Sequence, residues 1–452
     1  MLLVLLCGAQ FLVALDFSVL NVALPVLGPE LGLSEGGLQW AVTAFALPTG
    51  SFLLLFGRLG DHWGRRRMFR AGLTVFTGAS VLAALAPDAG LFLAGRALQG
   101  LGAAALVPTG MALITTSFAE GPKRTRALSI NGSLMAVGFT VGMVAGGILT
   151  DTLGWRSTMG LLAVGGGAVL AGLLWARSLL AETRAERRTG LDVPGALSVT
   201  GGLLGIVYAL STAAEQGFSR PDVVVAGVAG VLLLALFVRV ESRAAEPLLP
   251  LWMLRRRTVA FGNLGGLATV SMMTATVFLL TLYLQRVLGV SAFVSGLVFG
   301  VQGLVSVLGG AVAPRLARRY GAPRTLALAL GGQGVFTAAL LGTGAGSVSG
   351  LWLVVVAVSL ASGLHLVAVV AYGVTATSGL SDAEQGRATS LVTSAMQVGM
   401  ALGIPLLTSL SVGVTGATGS PMAGIHAGLA TAAVALLATG TTVAGTLRAR
   451  RR

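Results

Sequence analysis

The residue whose type and position most strongly suggest chemistry in this chain is Asp16. It lies inside a long apolar run, LLVLLCGAQFLVALDFSVLNVALP, whereas the other acidic residues lie between such runs or at their ends. A carboxylate in hydrocarbon is costly unless it faces a cavity or a partner. Removal from water disfavours the charged form of a carboxyl group, so such a group can bind and release a proton. We predict that Asp16 carries protons; the alternative is a structural acid neutralised for packing.

Arg96 is the predicted partner of Asp16, because it lies inside another apolar run. If the first helix runs outward and the fourth inward, the two side chains fall at nearly the same depth, and an ion pair is possible. Gln99 follows three residues later and shares the helix face of Arg96. In the alternative, Arg96 extends to the membrane surface or braces the bundle.

Cysteine and histidine chemistry is sparse. Cys7 is the single cysteine and is expected to be a small buried residue. The three histidines are scattered, so we predict no metal cluster, and the sequence has neither a G-x-x-x-x-G-K-[ST] loop nor a nucleophile–base constellation. We therefore expect no enzyme activity and no cofactor. His365 could relay protons or be a hydrogen-bonded packing residue, and His62 and His426 lie near the predicted membrane surfaces.

The elements that must position these residues are membrane-spanning helices. Of 452 residues 55% are hydrophobic and 10% charged, with a mean hydropathy of +0.88, whereas about a quarter of a soluble domain is charged. The net charge is +14. The sequence contains no basic patch interleaved with aromatic residues, so we expect no nucleic acid partner. The expected partner is the lipid bilayer with its anionic inner face.

The fold class predicted from the apolar runs is all-α, with fourteen spans of about 20 residues each. The predicted spans are residues 2–24, 36–57, 68–86, 90–112, 125–148, 157–177, 194–213, 222–240, 258–284, 292–313, 322–342, 350–374, 386–410 and 423–446.

Alternate connections between these spans hold nearly all of the 30 Lys and Arg residues. Only Arg156, Arg220 and Arg286 fall in connections on the other side. Since basic residues concentrate in cytoplasmic loops, both termini are predicted to be cytoplasmic. The preference for arginine, with abundant alanine and glycine, indicates a bacterial cytoplasmic (inner) membrane.

The chain contains an internal sequence repeat. GRLGDHWGRRR (57–67) and PRLARRYGAPR (314–324) align through Gly64 and Gly321, and each joins the second and third helices of a six-helix set. Duplicated halves place a substrate site at their interface. We predict an N-terminal six-helix bundle (1–192), two extra helices with a linker (193–257) and a C-terminal six-helix bundle (258–452).

These motifs together resemble the Major Facilitator Superfamily, specifically its fourteen-helix drug:proton antiporters of the EmrB/QacA type. The likeness rests on motifs in a fixed order: LDFSVLNVALP from Leu15, GRLGDHWGRRR from Gly57, RALQGLGAA from Arg96, GFTVGMVAGG from Gly138, GWR from Gly154, PLLPL from Pro247, YLQRVLGVSAFVSG from Tyr283 and QVGMALG from Gln397. Two positions depart from the family pattern. Met143 follows Gly142 where a proline is usual, which weakens the link to export direction, and Arg318 stands where the first half has Asp61.

The resemblance implies that the first loop motif acts as a gate, in which Asp61 pairs with nearby arginines or a helix N-terminus. The gating residues are predicted to be Gly57, Asp61, Gly64, Arg65 and Arg67. A basic loop that sets the topology is a compatible alternative. In the fifth helix, Gly138, Gly142 and Gly146, with Gly147, predict close helix packing or a sliding surface between halves.

The predicted substrate cavity combines polar and polarizable side chains. Methionine and aromatic residues suit varied apolar ligands, although each could equally face lipid or fill the core. The predicted cavity residues are Asn21, Gln99, Met272, Tyr283, Gln302 and Gln397.

The predicted function is proton-coupled efflux of small amphipathic or cationic compounds by a monomer, with protons as the second partner. A dedicated exporter of one antibiotic or metabolite, for self-resistance, is the main alternative. A non-transporting membrane scaffold is disfavoured because a deep acid is costly to keep without a use.

Overall fold

The structure is a computed structural model that describes residues 2–118, 122–175, 192–217, 219–244, 249–344 and 348–448. Fourteen α-helices occupy the described residues, each overlapping one predicted span. The all-α fold class is therefore confirmed for this part of the chain. Basic residues 177, 184, 187, 188 and 450–452, and the start of the PLLPL motif at 247, lie outside it.

The first compact unit comprises Met1–Thr200 and Ser291–Leu297. It contains six complete helices and the first turns of two further helices, at residues 193–200 and 292–297. Its helices are α1 (Leu2–Leu31), α2 (Glu35–Trp63), α3 (Arg65–Ala84), α4 (Ala89–Ser117), α5 (Pro122–Leu153) and α6 (Arg156–Trp175).

The second compact unit comprises Gly201–Val290 and Val298–Arg452. Its helices are α7 (Val193–Gln216, divided between the units), α8 (Pro221–Arg243), α9 (Arg257–Leu282), α10 (Ala292–Tyr320), α11 (Ala322–Ala339), α12 (Val348–Thr377), α13 (Asp382–Thr418) and α14 (Pro421–Arg448). A π-helical turn (Tyr283–Val287) extends α9, and short 3-10 turns lie at Leu251–Arg255 and Leu340–Gly342.

Not every helix has the length and apolarity of a membrane span. Within the described residues, twelve helices qualify by length and composition. A thirteenth is α2, if its parts Gly37–Leu53 and Leu55–Trp63, which meet at a 53° bend, are counted as one span. The helix that does not qualify is α3, because its first turns contain Arg65, Arg66, Arg67 and Arg70. A fold of twelve to thirteen candidate spans is thus shown, and the count of fourteen stays a prediction.

The two copies of the internal sequence repeat have similar backbone conformations. Gly64 joins α2 to α3 with a φ of 112°, and Gly321 joins α10 to α11 with a φ of 83°. Glycine adopts such positive φ values without the steric cost of a Cβ. The carbonyl of each glycine accepts a hydrogen bond from the amide four residues later, Met68 or Thr325, at 3.0 Å. The aligned loops therefore make the same turn.

The first helix of each six-helix set is the most buried, and each packs on the fifth helix of its set through glycines. On α5, an added Cβ at Gly146 would lie 2.7 Å from the carbonyl oxygen of Val19 on α1. On α13, an added Cβ at Gly403 would lie 2.7 Å from the Cα of Ser271 on α9. Small residues permit this approach where no hydrophobic effect drives helices together.

The linker that leads into α9 is fixed by apolar and charged contacts within the second unit. Met253 of the 3-10 turn is buried in a cluster with Val259, Ala388 and Leu391. Arg256 forms an ion pair with Glu384 at 2.8 Å. The linker thereby holds together the adjoining ends of α9 and α13.

Candidate functional site

The two charged residues predicted to pair inside the membrane are in contact. Asp16 on α1 and Arg96 on α4 are both fully buried, and Arg96 Nη1 lies 2.6 Å from Asp16 Oδ1. A buried pair has an unfavourable desolvation cost that is offset only by good geometry and further hydrogen bonds. The surroundings of each partner therefore decide what the pair can do.

Arg96 is held by several groups besides Asp16. Its Nε donates to the carbonyl of Ala41 on α2 at 3.0 Å, and its Nη1 also donates to Gln99 Oε1 at 2.8 Å. The guanidinium carbon lies 4.7 Å from the centre of the Phe45 ring, within the range of a cation–π interaction. Arg96 is thus fixed from α2 and from its own helix, independently of Asp16.

Gln99 serves Arg96 in this structure. It is fully buried, and its Nε2 donates to Ser80 Oγ on α3 at 2.8 Å. The hydroxyl of Ser80 in turn donates to the carbonyl of Phe76 at 2.7 Å. The oxygen of the Gln99 amide is therefore directed toward Arg96. Although Gln99 was predicted to line the substrate cavity, both ends of its amide are engaged inside the first unit.

Asp16 is held far less than Arg96. Within the described residues, Arg96 is its hydrogen-bond partner through Oδ1, while Asp16 Oδ2 and Arg96 Nη2 are buried without a partner. Buried polar atoms normally find partners. The unfilled oxygen is a place where a proton or a small polar group can be accepted. The pair is consequently asymmetric, with a fixed cation and a more weakly held acid.

Asn21, another predicted cavity residue, lies on the same helix as Asp16. It is buried, and its Nδ2 donates to the carbonyl of Phe17 at 2.6 Å. Its Oδ1 has no partner among the described residues. This amide oxygen is a second unfilled acceptor on α1.

The remaining predicted cavity residues lie in the second unit. Met272 and Tyr283 are buried, and the Tyr283 hydroxyl donates to the carbonyl of Gly344 at 2.9 Å. Gln302 is buried and donates to Ser362 Oγ at 3.3 Å, and Gln397 on α13 is half-buried. The site role of all four stays a prediction.

The predicted gate forms an ion pair within its own loop. Arg65 Nε and Nη2 each lie 2.8 Å from Asp61 Oδ1, and Gly64 makes the turn between α2 and α3. Gly57 faces Pro108 of α4, which an added Cβ would approach to 3.3 Å. Arg67 is exposed. The contact of Asp61 with a nearby arginine is present, and its role as a gate stays a prediction.

The glycines of α5 divide between two neighbours. Gly138, Gly142 and Gly146 face α1, where an added Cβ would meet Phe11, Ser18 and Val19 respectively. Gly147 faces the first turn of α10, at Ala292 and Phe293. The three α5 glycines that face α1 therefore pack inside the first unit, and their role as a sliding surface stays a prediction.

Three polar residues that join helices of the first unit are not evident from the sequence. Ser80 orients Gln99 from α3. Gln10 on α1 donates to the carbonyl of Val107, beside the helix-bending Pro108, at 2.9 Å. Glu30 accepts hydrogen bonds from Trp155 Nε1 and Arg156 Nη1 at 2.8 Å each. The available signal was a polar residue within or beside an apolar run, which does not identify the partner.

Long apolar helices with a buried ion pair define this chain as a multi-pass membrane protein. The family model of the Major Facilitator Superfamily matches residues 6–404 and 266–449. The chain belongs to that superfamily, and is thus a membrane transporter.

Several characterised proteins are similar to this chain. It is 40% identical to puromycin resistance protein pur8 of Streptomyces alboniger over 92% of this chain and 82% of that protein. It is 39% identical to the cephamycin export protein CmcT of Amycolatopsis lactamdurans over 93% and 86%. Among solved structures, the POT family transporter PepTSo matches with a TM-score of 0.75 and 15% identity, over 99% of this chain and 98% of that one. This last likeness concerns the fold alone.

Proposed function

We propose that this protein is a proton-coupled efflux transporter that exports small amphipathic compounds, with Asp16 as its proton carrier. The family match and the relatives with export and resistance functions support the predicted efflux class. The observation that carries the coupling proposal is the unequal anchoring of the Asp16–Arg96 pair.

The unequal anchoring suggests how a proton changes the site. Protonation of Asp16 removes the charge that attracts Arg96, while the contacts of Arg96 with Ala41, Gln99 and Phe45 remain. Asp16 is thereby released and Arg96 stays in place. A cationic group of the substrate can then compete with the proton for the carboxylate, because opposite charge favours its ionised form.

The proposed cycle follows from this competition. A proton enters from the outside and neutralises Asp16, the transporter changes between outward- and inward-facing states, and the proton leaves to the cytoplasm. Substrate binding in the inward-facing state is favoured once the carboxylate is ionised. An acid at this depth is retained, despite its cost in lipid, because its charge changes during the cycle.

The experiment that tests this proposal measures dye accumulation in everted membrane vesicles energised by a proton gradient. Asp16→Asn keeps the size of the side chain and removes its titration, so accumulation should fall to the level of vesicles without the protein. Asp88→Asn is the matched control. Asp88 is an exposed carboxylate that caps α4 by accepting from Leu91 N at 2.9 Å, and asparagine also caps helices well. Accumulation in Asp16→Asn equal to that of the control would reject the proton-carrying role.

A dedicated exporter is the second candidate function, and the names of the two relatives favour it. A resistance panel in a pump-deficient bacterial host distinguishes the candidates. Broad efflux predicts protection against structurally unrelated lipophilic cations as well as antibiotics. Protection confined to one antibiotic class, such as nucleoside or β-lactam compounds, would favour the dedicated exporter.

The topology belongs to the same proposal. We infer fourteen spans with both termini in the cytoplasm, a monomer in the bacterial inner membrane, and the three-part organisation predicted from the sequence, as in the EmrB/QacA type. The inward concentration of basic residues supports this orientation.

A further inference from the structure

A second polar network lies in the second unit, around His365 of α12. His365 Nδ1 lies 2.9 Å from Thr269 Oγ1 on α9. The hydroxyl of Thr269 donates to Gln333 Oε1 on α11 at 2.5 Å, and Gln333 Nε2 lies 3.4 Å from the carbonyl of Thr269. Three helices therefore meet at one imidazole ring.

The number of protons in this network fixes the role of each ring nitrogen. A threonine hydroxyl has a single proton, and here it is donated to Gln333. The Thr269 oxygen must then accept from His365, so the proton of the neutral ring is on Nδ1. Nε2 is consequently a hydrogen-bond acceptor, and no described residue donates to it.

His365 lies on the face of α12 opposite the exposed apolar residues of that helix. His365 is half-buried, and it follows Val356 by nine residues, which is two and a half helical turns. Val356 is 55% exposed and belongs with Trp352 and Leu360 to the exposed apolar face of α12. His365 is therefore on the opposite face, so its exposed part is directed away from the apolar face.

A further unfilled acceptor lies one turn away. Ser362 precedes His365 by three residues and accepts a hydrogen bond from Gln302 Nε2 at 3.3 Å. Gln302 is buried, and its Oε1 has no partner among the described residues. Two acceptors of this kind, linked through Ser362 on the helix of His365, suit a ligand that carries N–H or O–H groups.

The charged residues of the surrounding helices lie in the first or last two turns of those helices. Since a charged imidazole here would have no opposite charge beside it, we take the neutral ring as the form that recognises a ligand. The charged and imidazole groups of these elements are Arg257 on α9, Arg286 after it, Arg315, Arg318 and Arg319 on α10, Arg324 on α11, Asp382, Glu384 and Arg387 on α13, and His426 and Arg448 on α14.

We propose that His365 is a substrate-recognition residue whose Nε2 accepts a hydrogen bond from an amino, amide or hydroxyl group of the transported molecule. Thr269 and Gln333 are positioning residues that fix the ring and its proton. The proposal rests on the proposed transport function and adds a substrate feature, a hydrogen-bond donor on an amphipathic body.

The test compares the binding of two dyes to the purified full-length protein in detergent, without a proton gradient. Thionine carries amino N–H groups, and methylene blue has the same cationic ring system with those hydrogens replaced by methyl groups. The wild-type protein should bind thionine more tightly. The two dyes have equal charge but differ in apolar surface as well as in N–H groups. The change in the ratio of their dissociation constants between protein variants therefore reports the hydrogen bond.

Two substitutions separate recognition from packing. His365→Asn retains an amide that can reach Thr269 and has no atom at the Nε2 position, so thionine binding should weaken about 2- to 12-fold, the equivalent of one hydrogen bond. Methylene blue binding should stay within about twofold, the low end of that range. His365→Gln places an acceptor near Nε2 and should retain the preference for thionine. If His365→Asn does not fold, Thr269→Val takes its place, because it releases the ring and should reduce the same preference.

Two results would overturn the inference. One is an unchanged preference for thionine in His365→Asn, and the other is a wild-type protein that binds neither dye. Failure of proton-driven accumulation with selective binding intact would instead reject the proposed coupling and leave the role of His365 standing.

Discussion

At the scale of residues, the central feature is a difference in how two opposite charges are held. Arg96 is fixed by a backbone carbonyl, an amide oxygen and an aromatic ring. The Asp16 carboxylate, by contrast, has Arg96 as its single hydrogen-bond partner among the described residues. If Arg96 stays in place when the charge of Asp16 changes, only the helix that carries Asp16 needs to move. We expect that helix to be α1.

Ser80→Ala tests whether Gln99 acts through Arg96. The substitution removes the strong acceptor of Gln99 Nε2 and leaves only the weakly accepting Met159 Sδ at 3.9 Å among the described residues. The loss costs about 1–3 kcal/mol and lets the amide turn away from Arg96. We predict a lower maximal transport rate with an unchanged substrate KM, measured in everted vesicles. An increase in KM alone would contradict this prediction and would favour a role of Gln99 in the substrate cavity.

The sequence predicts this site only in part. Asp16 and Arg96 could be paired because depth along a helix follows from residue number. The partner of Gln99 could not be predicted. Ser80 reaches Gln99 only if α3 is rotated so that Ser80 faces α4, and the apolar residues on several sides of α3 do not determine that rotation. The hydrogen bonds of Thr269 and Gln333 near His365 could not be predicted either. For His365 the sequence left two roles open, a proton relay and a packing residue.

At the scale of elements, the first and fifth helices of each set form a repeated pair held by glycines. Gly146 on α5 meets backbone atoms of Val19, and Gly403 on α13 meets those of Ser271. Backbone atoms cannot rotate away as a side chain can, so larger residues would separate the helices. The glycine spacing on α5 predicted close packing, but it did not identify α1 as the partner.

Gly146→Ala tests this pairing against Gly132→Ala on the same helix. The new Cβ at position 146 would lie 2.7 Å from the Val19 oxygen, while at position 132 nothing lies within 4 Å. Overpacking costs about 1–3 kcal/mol, so Gly146→Ala should lower the unfolding temperature in detergent. Gly132→Ala should leave it unchanged or raise it slightly, because alanine favours helix by about 1 kcal/mol. Equal melting of the two variants would contradict the packing role.

At the scale of the whole molecule, the proposed topology has all fourteen helices crossing the membrane. The positions of all fourteen were predicted from apolar runs, because a span needs about 20 such residues whatever its neighbours. The status of α3 was not, because its arginine-rich first turns shorten the apolar segment. The position of α3 is instead determined by its packing against α4.

Cysteine labelling decides the topology. The single native cysteine, Cys7, is buried, and cysteines can be introduced singly at exposed positions in a Cys7→Ser background. A membrane-impermeant thiol reagent should label Thr152→Cys, Ser219→Cys and Thr418→Cys in intact cells, and Lys123→Cys and Ser242→Cys only after permeabilisation. If α3 did not cross, every one of these positions would exchange sides.

Proton release on substrate binding is the most direct test of the central claim. We expect purified protein in weakly buffered detergent at acidic pH to carry a proton on Asp16. A cationic substrate should displace that proton into solution, where a pH-indicator dye detects it. We predict release from the wild-type protein and from Asp88→Asn, and none from Asp16→Asn. Release of equal size from Asp16→Asn would contradict the account, because another group would then carry the proton.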